Sequence, residues 1–257
     1  MTRIHPTAIV NPKAELGENL EIGPYAVVGE DVSIGDNSVI HPHAVIDGFT
    51  AIGEGCEIFP GAAVGLRCQD LKYGGEKTYV RIGARTVIRE CVTVNSSTGQ
   101  GSVTIVGDDC YLMAYSHVGH NCRLGNGVVM ANLASLAGHI LIEDEAVLGG
   151  LVGVHQFVHV GTLSMIGGLS KVNQDVPPYA LSDGVPCSVV DSNAVGLRRH
   201  GFPPETRRII RRAFKILFKS GLATSHAVEI VKSDLPQIPE IVHLLEFIAK
   251  SERGIGR

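Results

Sequence analysis

Four histidines, His117, His120, His139 and His155, are concentrated in the middle of this 257-residue sequence. An imidazole with its ordinary pKa of ~6.5 can take a proton from an alcohol near neutral pH. If the chain winds in coils of 18 residues, positions 120, 138 and 156 lie above one another. His120, Gly138 and Gln156 then form a column on the outer surface, spaced ~4.8 Å apart. The N–H of Gly138 is placed to meet the oxyanion of a tetrahedral intermediate, and glycine lets an acyl group approach the main chain closely. The chemistry these positions predict is direct acyl transfer to an alcohol, with no covalent enzyme intermediate.

The coil follows from a repeat. Aliphatic residues recur every six positions from Ile4 to Val64, at Ile82, Ile88 and Val94, and from Val106 to Val172 without a miss, 26 hexads in all. Twelve consecutive hits arise by chance on the order of once in a million. A period of six is neither helical nor a plain alternating strand; it is a β-solenoid repeat in which each hexad needs stacked neighbours to bury its apolar side. Small residues four positions on (Ala26, Ala44, Cys56, Cys110, Cys122) fill the narrow space near a corner. This makes the cysteines packing groups, not nucleophiles. Glycine often follows the aliphatic position, as at Gly35 and Gly53, and is expected to ease the turn geometry there. Glycine at 31 of 257 residues and aromatics at 5% suit thin, stacked, turn-rich β structure.

Residues 66–79 and 95–102 break the period and are expected to leave the prism as loops, which commonly build sites. The pair Pro177-Pro178 is expected to end the solenoid. A helical stripe follows at Ile210, Ala213, Phe214 and Leu217, with further helices near 225–232 and 239–250. The expected division is a prism over 1–189 and a helical domain over 190–257. Between Arg198 and Lys219 stand eight Lys/Arg and one Glu, against a whole-chain charge of −4. A basic face of this kind suits an anionic partner. The aromatic platforms expected for nucleic acid are missing. No apolar run reaches the ~18 residues of a membrane span. Six sparse cysteines without a CxxC pair point to a reducing cytoplasm.

The repeat resembles the hexapeptide-repeat proteins, which implies a left-handed parallel β-helix of about nine triangular coils here, followed by a C-terminal α-helical domain. Some of these proteins, the γ-class carbonic anhydrases, bind zinc with a close histidine pair and a third histidine about two coils earlier. Here that region reads Val80-Arg81-Ile82, so no metal is expected. The strings Gln69-Asp70-Leu71-Lys72-Tyr73, His117-Val-Gly-His120, Leu136-Ala-Gly-His139, Val154-His155-Gln156-Phe157, Gln174-Asp-Val-Pro-Pro-Tyr179 and Gly196-Leu197-Arg198-Arg199 are similar to the acyl-[acyl-carrier-protein]–UDP-N-acetylglucosamine O-acyltransferases of lipid A biosynthesis. The resemblance covers essentially the whole chain. It implies transfer of an (R)-3-hydroxyacyl group to the 3-hydroxyl of UDP-N-acetylglucosamine, by a cofactor-free homotrimer with clefts between parallel prisms. By the same resemblance His120 is the base, Gly138 the oxyanion donor, and His117, His139, His155 and Gln156 line the cleft. Asp70, Lys72, Asn193 and Arg199 contact the sugar nucleotide. Gly168 sets an acyl groove deep enough for a chain on the order of fourteen carbons. Arg198, Arg208, Arg211, Arg212 and Lys215 face the acidic carrier protein.

Three positions depart from the family pattern. Asn121 follows the histidine where the family usually has Asp. An amide can orient the ring but stabilises its cation less, or favours the wrong tautomer. The second loop reads Asn95-Ser96-Ser97-Thr98 where His-Arg-Gly-Thr is common, and His200 replaces a second arginine. An acceptor with a 3-amino group, or a non-catalytic carrier-protein-binding scaffold, stays open at this level.

Overall fold

The structure, a computed structural model, describes residues 1–256. Twenty-six short strands, β1 (Arg3–Ile4) through β26 (Lys171–Val172), wind into a three-sided prism, each pairing in parallel with the strand three places on. This gives faces of nine, nine and eight strands, and two further strands described below bring the first face to eleven. Each strand ends a hexad with its aliphatic residue turned inward, so that Val118, Leu136 and Val154 stack in register through the core. Ile4 also occupies an inward position but is 46% exposed, because it sits on the first rung. The small position is buried as the packing argument requires. Desolvation pushes the thiol of Cys110 up to about 11 and that of Cys122 up to about 12, and each Sγ lies within hydrogen-bond reach of a backbone carbonyl.

Two sequence expectations need correction. The glycines that follow the strands do not adopt left-handed geometry. A Cβ at Gly35 would come within 2.6 Å of the Glu54 nitrogen on the next rung, and one at Gly53 within 2.6 Å of the Ala84 nitrogen. These glycines permit close stacking of coils. Positive φ falls two residues later, and mostly on other residue types, including Cys91 (56°), Asn121 (60°) and His139 (59°). Nor do the prolines end the prism. Val176 continues the third face by a bridge to Val160, and β27 (Ala180–Asp183) pairs in parallel with β25 (Met165–Ile166) on the first. Pro177 and Pro178 stand between these segments, where no ladder donor is required.

Strand β28 (Ser188–Ser192) then returns antiparallel on β27. It leads to a six-residue helix that sequence reading missed, α1 (Ala194–Arg199), and to α2 (Pro204–Lys219), α3 (Thr224–Asp234) and α4 (Pro239–Lys250). Helix α2 buries the expected stripe, Ile210, Ala213, Phe214 and Leu217. Helix α4 is tied to the third face through Glu143. Its carboxylate lies 3.0 Å from His243 Nε2 and 2.9 Å from His159 Nε2, and accepts from both the N–H and the hydroxyl of Thr162 at 2.8 Å. Among the described residues no helix is long and apolar enough to cross a membrane.

Candidate active site

The edge between the second and third faces carries a groove of about 360 Å³, lined by Gln69, Asn95, His117, Gly119, His120, Ala137, Gly138, His155 and Gln156. Strand β17 (His117–Val118) lies in register with β20 (Ser135–Leu136), which in turn pairs with β23 (Gly153–Val154). The turns that follow these three strands therefore stack His120, Gly138 and Gln156 along the edge. A Cβ at residue 138 would overlap the Cε1 and Nε2 atoms of His120. Glycine is thus required first by the imidazole, which lies against the main chain of the next rung. The N–H of Gly138 meets no acceptor among the described residues.

The ring of His120 is hydrogen-bonded at Nδ1 and has a carboxylate near Nε2. Nδ1 lies 2.9 Å from Asn121 Oδ1, and Nε2 lies 3.9 Å from a carboxylate oxygen of Asp70. The His120 side chain is 14% exposed and that of Asp70 22%. Asn121 is itself locked by the second loop, the segment between β14 (Thr93–Asn95) and β15 (Val103–Val106). Its Oδ1 accepts the Thr98 N–H at 3.0 Å and its Nδ2 donates to the Thr98 carbonyl at 3.0 Å. The left-handed backbone at Asn121 is one that Asn tolerates better than most residues.

Two neighbouring imidazoles complete the cluster. His117 Nδ1 is 2.7 Å from the Thr93 hydroxyl, and burial, with a smaller contribution from His120, lowers its pKa. His139 meets His120 edge-on at 5.2 Å and stacks on Phe157 at 4.9 Å; burial again lowers its pKa. Both rings are therefore neutral at pH 7.

Other predicted residues lie elsewhere on this chain. Lys72 is exposed on the first loop, between β11 (Ala63–Leu66) and β12 (Tyr79–Ile82), and its N–H donates to Asp70 Oδ1. Gly168 lies on the edge between the first and second faces, beside Gly150. Asn193 caps α1: its Oδ1 accepts from the Gly196 N–H and its Nδ2 donates to the Leu163 carbonyl. Arg198 and Arg199 are exposed at the end of α1, and Arg208, Arg211, Arg212 and Lys215 are exposed along α2. His200 bonds back to Glu145 at 3.1 Å. Sequence reading missed Thr98, Gln69 and Asn95 as parts of this site. They sit in or beside the two insertions, where no period exists to place them.

A parallel solenoid of hexads with a histidine–glycine pair facing a groove defines a hexapeptide-repeat acyltransferase. Residues 13–48 and 104–138 match "Bacterial transferase hexapeptide (six repeats)", and residues 175–256 match "Udp N-acetylglucosamine O-acyltransferase; Domain 2". The chain is 54% identical to the acyl-[acyl-carrier-protein]–UDP-N-acetylglucosamine O-acyltransferase of Alkalilimnicola ehrlichii and 48% to that of Thermodesulfovibrio yellowstonii, each alignment covering all of both chains. Solved structures agree. The UDP-N-acetylglucosamine acyltransferase of Bacteroides fragilis superposes with a TM-score of 0.97 at 42% identity, covering 99% of this chain and 100% of that one. The enzyme of Acinetobacter baumannii gives 0.95 at 41% identity, covering 99% of each. The chain belongs to the acyl-[acyl-carrier-protein]–UDP-N-acetylglucosamine O-acyltransferase family, and its fold is the left-handed parallel β-helix with a C-terminal helical segment.

Proposed function

We propose that the protein transfers an (R)-3-hydroxyacyl group from a carrier-protein thioester to the 3-hydroxyl of UDP-N-acetylglucosamine, the first step of lipid A biosynthesis, with His120 as general base. One observation carries the mechanism: the hydrogen bonds that fix the amide of Asn121. Turning that amide over would set Nδ2 against the Thr98 N–H and Oδ1 against the Thr98 carbonyl. Oδ1 therefore faces His120, and since it has no proton, Nδ1–H must donate. The lone pair of the ring is left on Nε2, the tautomer a base needs. The amide that replaces the family's usual carboxylate thus orients the ring without mis-setting its tautomer.

The acceptor hydroxyl gives its proton to Nε2 as its oxygen attacks the thioester carbonyl. The new C–O bond places an oxyanion where the free Gly138 N–H can meet it. Collapse breaks the C–S bond, and the imidazolium returns the proton to the departing thiolate. Asp70, 3.9 Å from Nε2, puts negative charge beside the transient cation.

His117, His139, His155 and Gln156 shape the cleft, with Lys72 at its margin. Gly168, Asn193 and Arg199 are offered from other edges of the prism, so a complete cleft needs a neighbouring copy. A homotrimer of parallel prisms supplies one, and the exposed apolar residues Tyr115, Leu133, Leu151 and Leu169 along one edge suit such packing. The basic surface of Arg198, Arg208, Arg211, Arg212 and Lys215 suits an acidic acyl carrier protein, and six free cysteines suit the cytoplasm. The decisive assay incubates purified protein with hydroxyacyl carrier protein and either UDP-N-acetylglucosamine or its 3-amino analogue. Ester formation that His120→Ala abolishes supports the reading, whereas binding without turnover defeats it.

A further inference from the structure

Glu76, in the first loop, has no assigned part in the chemistry, yet its carboxylate accepts three hydrogen bonds. Oε1 takes the Gly99 N–H at 2.7 Å and the Thr98 hydroxyl at 2.9 Å, while Oε2 takes the Gly74 N–H at 2.8 Å. Two of these bonds cross to the second loop. The Gly99 N–H, ahead of the other donors, holds the carboxyl down to about 2, so Glu76 is ionised throughout any working pH range.

The second loop uses Thr98 to lock Asn121, and Asn121 holds His120 at Nδ1. The first loop brings Asp70 to the opposite side of the ring, 3.9 Å from Nε2. Glu76 therefore ties together the two insertions that flank one imidazole, one bonded through Asn121 at Nδ1 and the other placing Asp70 near Nε2. Other bonds also join the loops. The Lys77 N–H donates to Gln100 Oε1, the Gly101 N–H to the Lys77 carbonyl and the Tyr79 N–H to the Ser102 carbonyl, so the loops keep contacts when Glu76 is replaced.

We propose that Glu76 is a positioning residue for His120, setting the ring's tautomer and angle through Thr98 and Asn121 while keeping Asp70 beside Nε2. This rests on the reading of His120 as the base. Small displacements of a reacting group cost rate far more than they cost binding, up to about a hundredfold for an ångström.

The test compares full-length wild type, Glu76→Ala, Glu76→Gln and His120→Ala by steady-state kinetics, thermal unfolding and ¹⁵N chemical shifts of the His120 ring. Glu76→Ala is expected to lower kcat on the order of tenfold to a hundredfold, with KM for the UDP-sugar within about threefold. Its His120 nitrogens should shift toward a mixture of tautomers. Glu76→Gln keeps an oxygen for Thr98 and Gly99 and should recover most of the rate and the wild-type ring signals. Wild-type kcat and ring shifts in Glu76→Ala overturn the proposal. So does a rate loss with unchanged ring shifts, or one shared by both variants and matched by lost thermal stability. If instead His120→Ala retains activity, the base assignment fails, while the ring shifts still report on Glu76 separately.

Discussion

The imidazole of His120 fills the space that a side chain at Gly138 would need, so the proposed base and the proposed oxyanion donor meet across one rung of the prism. Replacing Gly138 with Ala should push the ring out of line and remove more than about a hundredfold of kcat. The hydrogen of residue 138 contributes nothing to the core, so thermal stability should change little. Calorimetry and kinetics on the same preparation check both halves. Near-wild-type turnover would show that the ring has another place to sit.

Asn121→Ala removes the acceptor of the Nδ1 proton and frees the ring to flip and tautomerise. Activity should fall on the order of tenfold to a thousandfold, within the range that loss of an orienting partner costs in related base machinery. Asn121→Asp is expected to fall short of full activity as well. Its second oxygen would face the Thr98 carbonyl, which now accepts a hydrogen bond from Nδ2. Assays of both variants against wild type at saturating substrate decide the matter.

The coil arithmetic that found His120 and Gly138 works because one large inward residue per hexad enforces the register, and the register then places outward residues. Asn121 was visible as a neighbour in sequence, but its orientation was not, because Thr98 lies in an insertion with no period. Glu76 was hidden for the same reason. Helix α1 is too short to show a stripe, and β27 lies beyond two prolines that read as an ending. The prolines fell in a corner, where a missing N–H costs nothing.

Reversing charge on α2 with Arg211→Glu and Arg212→Glu should raise KM for the acyl carrier protein several-fold, a modest loss that reflects the screening of exposed charges. KM for the UDP-sugar should stay as it was. The effect should shrink as salt rises from about 0.05 to 0.5 M. An equal change in both KM values would place the double variant's defect in folding or in the cleft.

The link between Glu143 and His243 predicts a pH dependence of how α4 is held. The hydrogen bond to Glu143 raises the pKa of His243, which also faces the Tyr179 hydroxyl, Glu246 and Lys250. Its stabilisation is complete below the unfolded value of ~6.5 and is lost as pH climbs through the higher folded value. The pKa of Glu143 moves the opposite way. Burial alone would raise it, but bonds from His159, His243 and Thr162 hold it well below the carboxylate range. That contribution is full above ~4.5 and fades only in strong acid. Protection of α4 amides from hydrogen exchange should therefore be greatest near pH 5 to 6 and weaken toward pH 8. With His243 partly exposed, the change should amount to about 1 kcal/mol or less. His243→Gln should flatten that dependence.

Gly53→Ala should cost about 2 kcal/mol or more despite its ordinary φ, because the added methyl would press on the backbone of the next rung. Cys91→Asn should gain about 1 kcal/mol, since residue 91 sits at φ 56° with its side chain exposed. Denaturant midpoints measure both, and equal effects of the same sign would contradict the separation between stacking glycines and left-handed corners.

The antiparallel return of β28 on β27 has a consequence for assembly. A stack of parallel rungs is an open template whose last free edge invites another chain to add to it. By reversing direction, and by leading straight into the Asn193 cap of α1, β28 covers the first-face edge with a strand of the wrong polarity. A protein lacking residues 184–192 would lose that guard. Its prisms would be expected to join end to end into fibres rather than remain discrete particles.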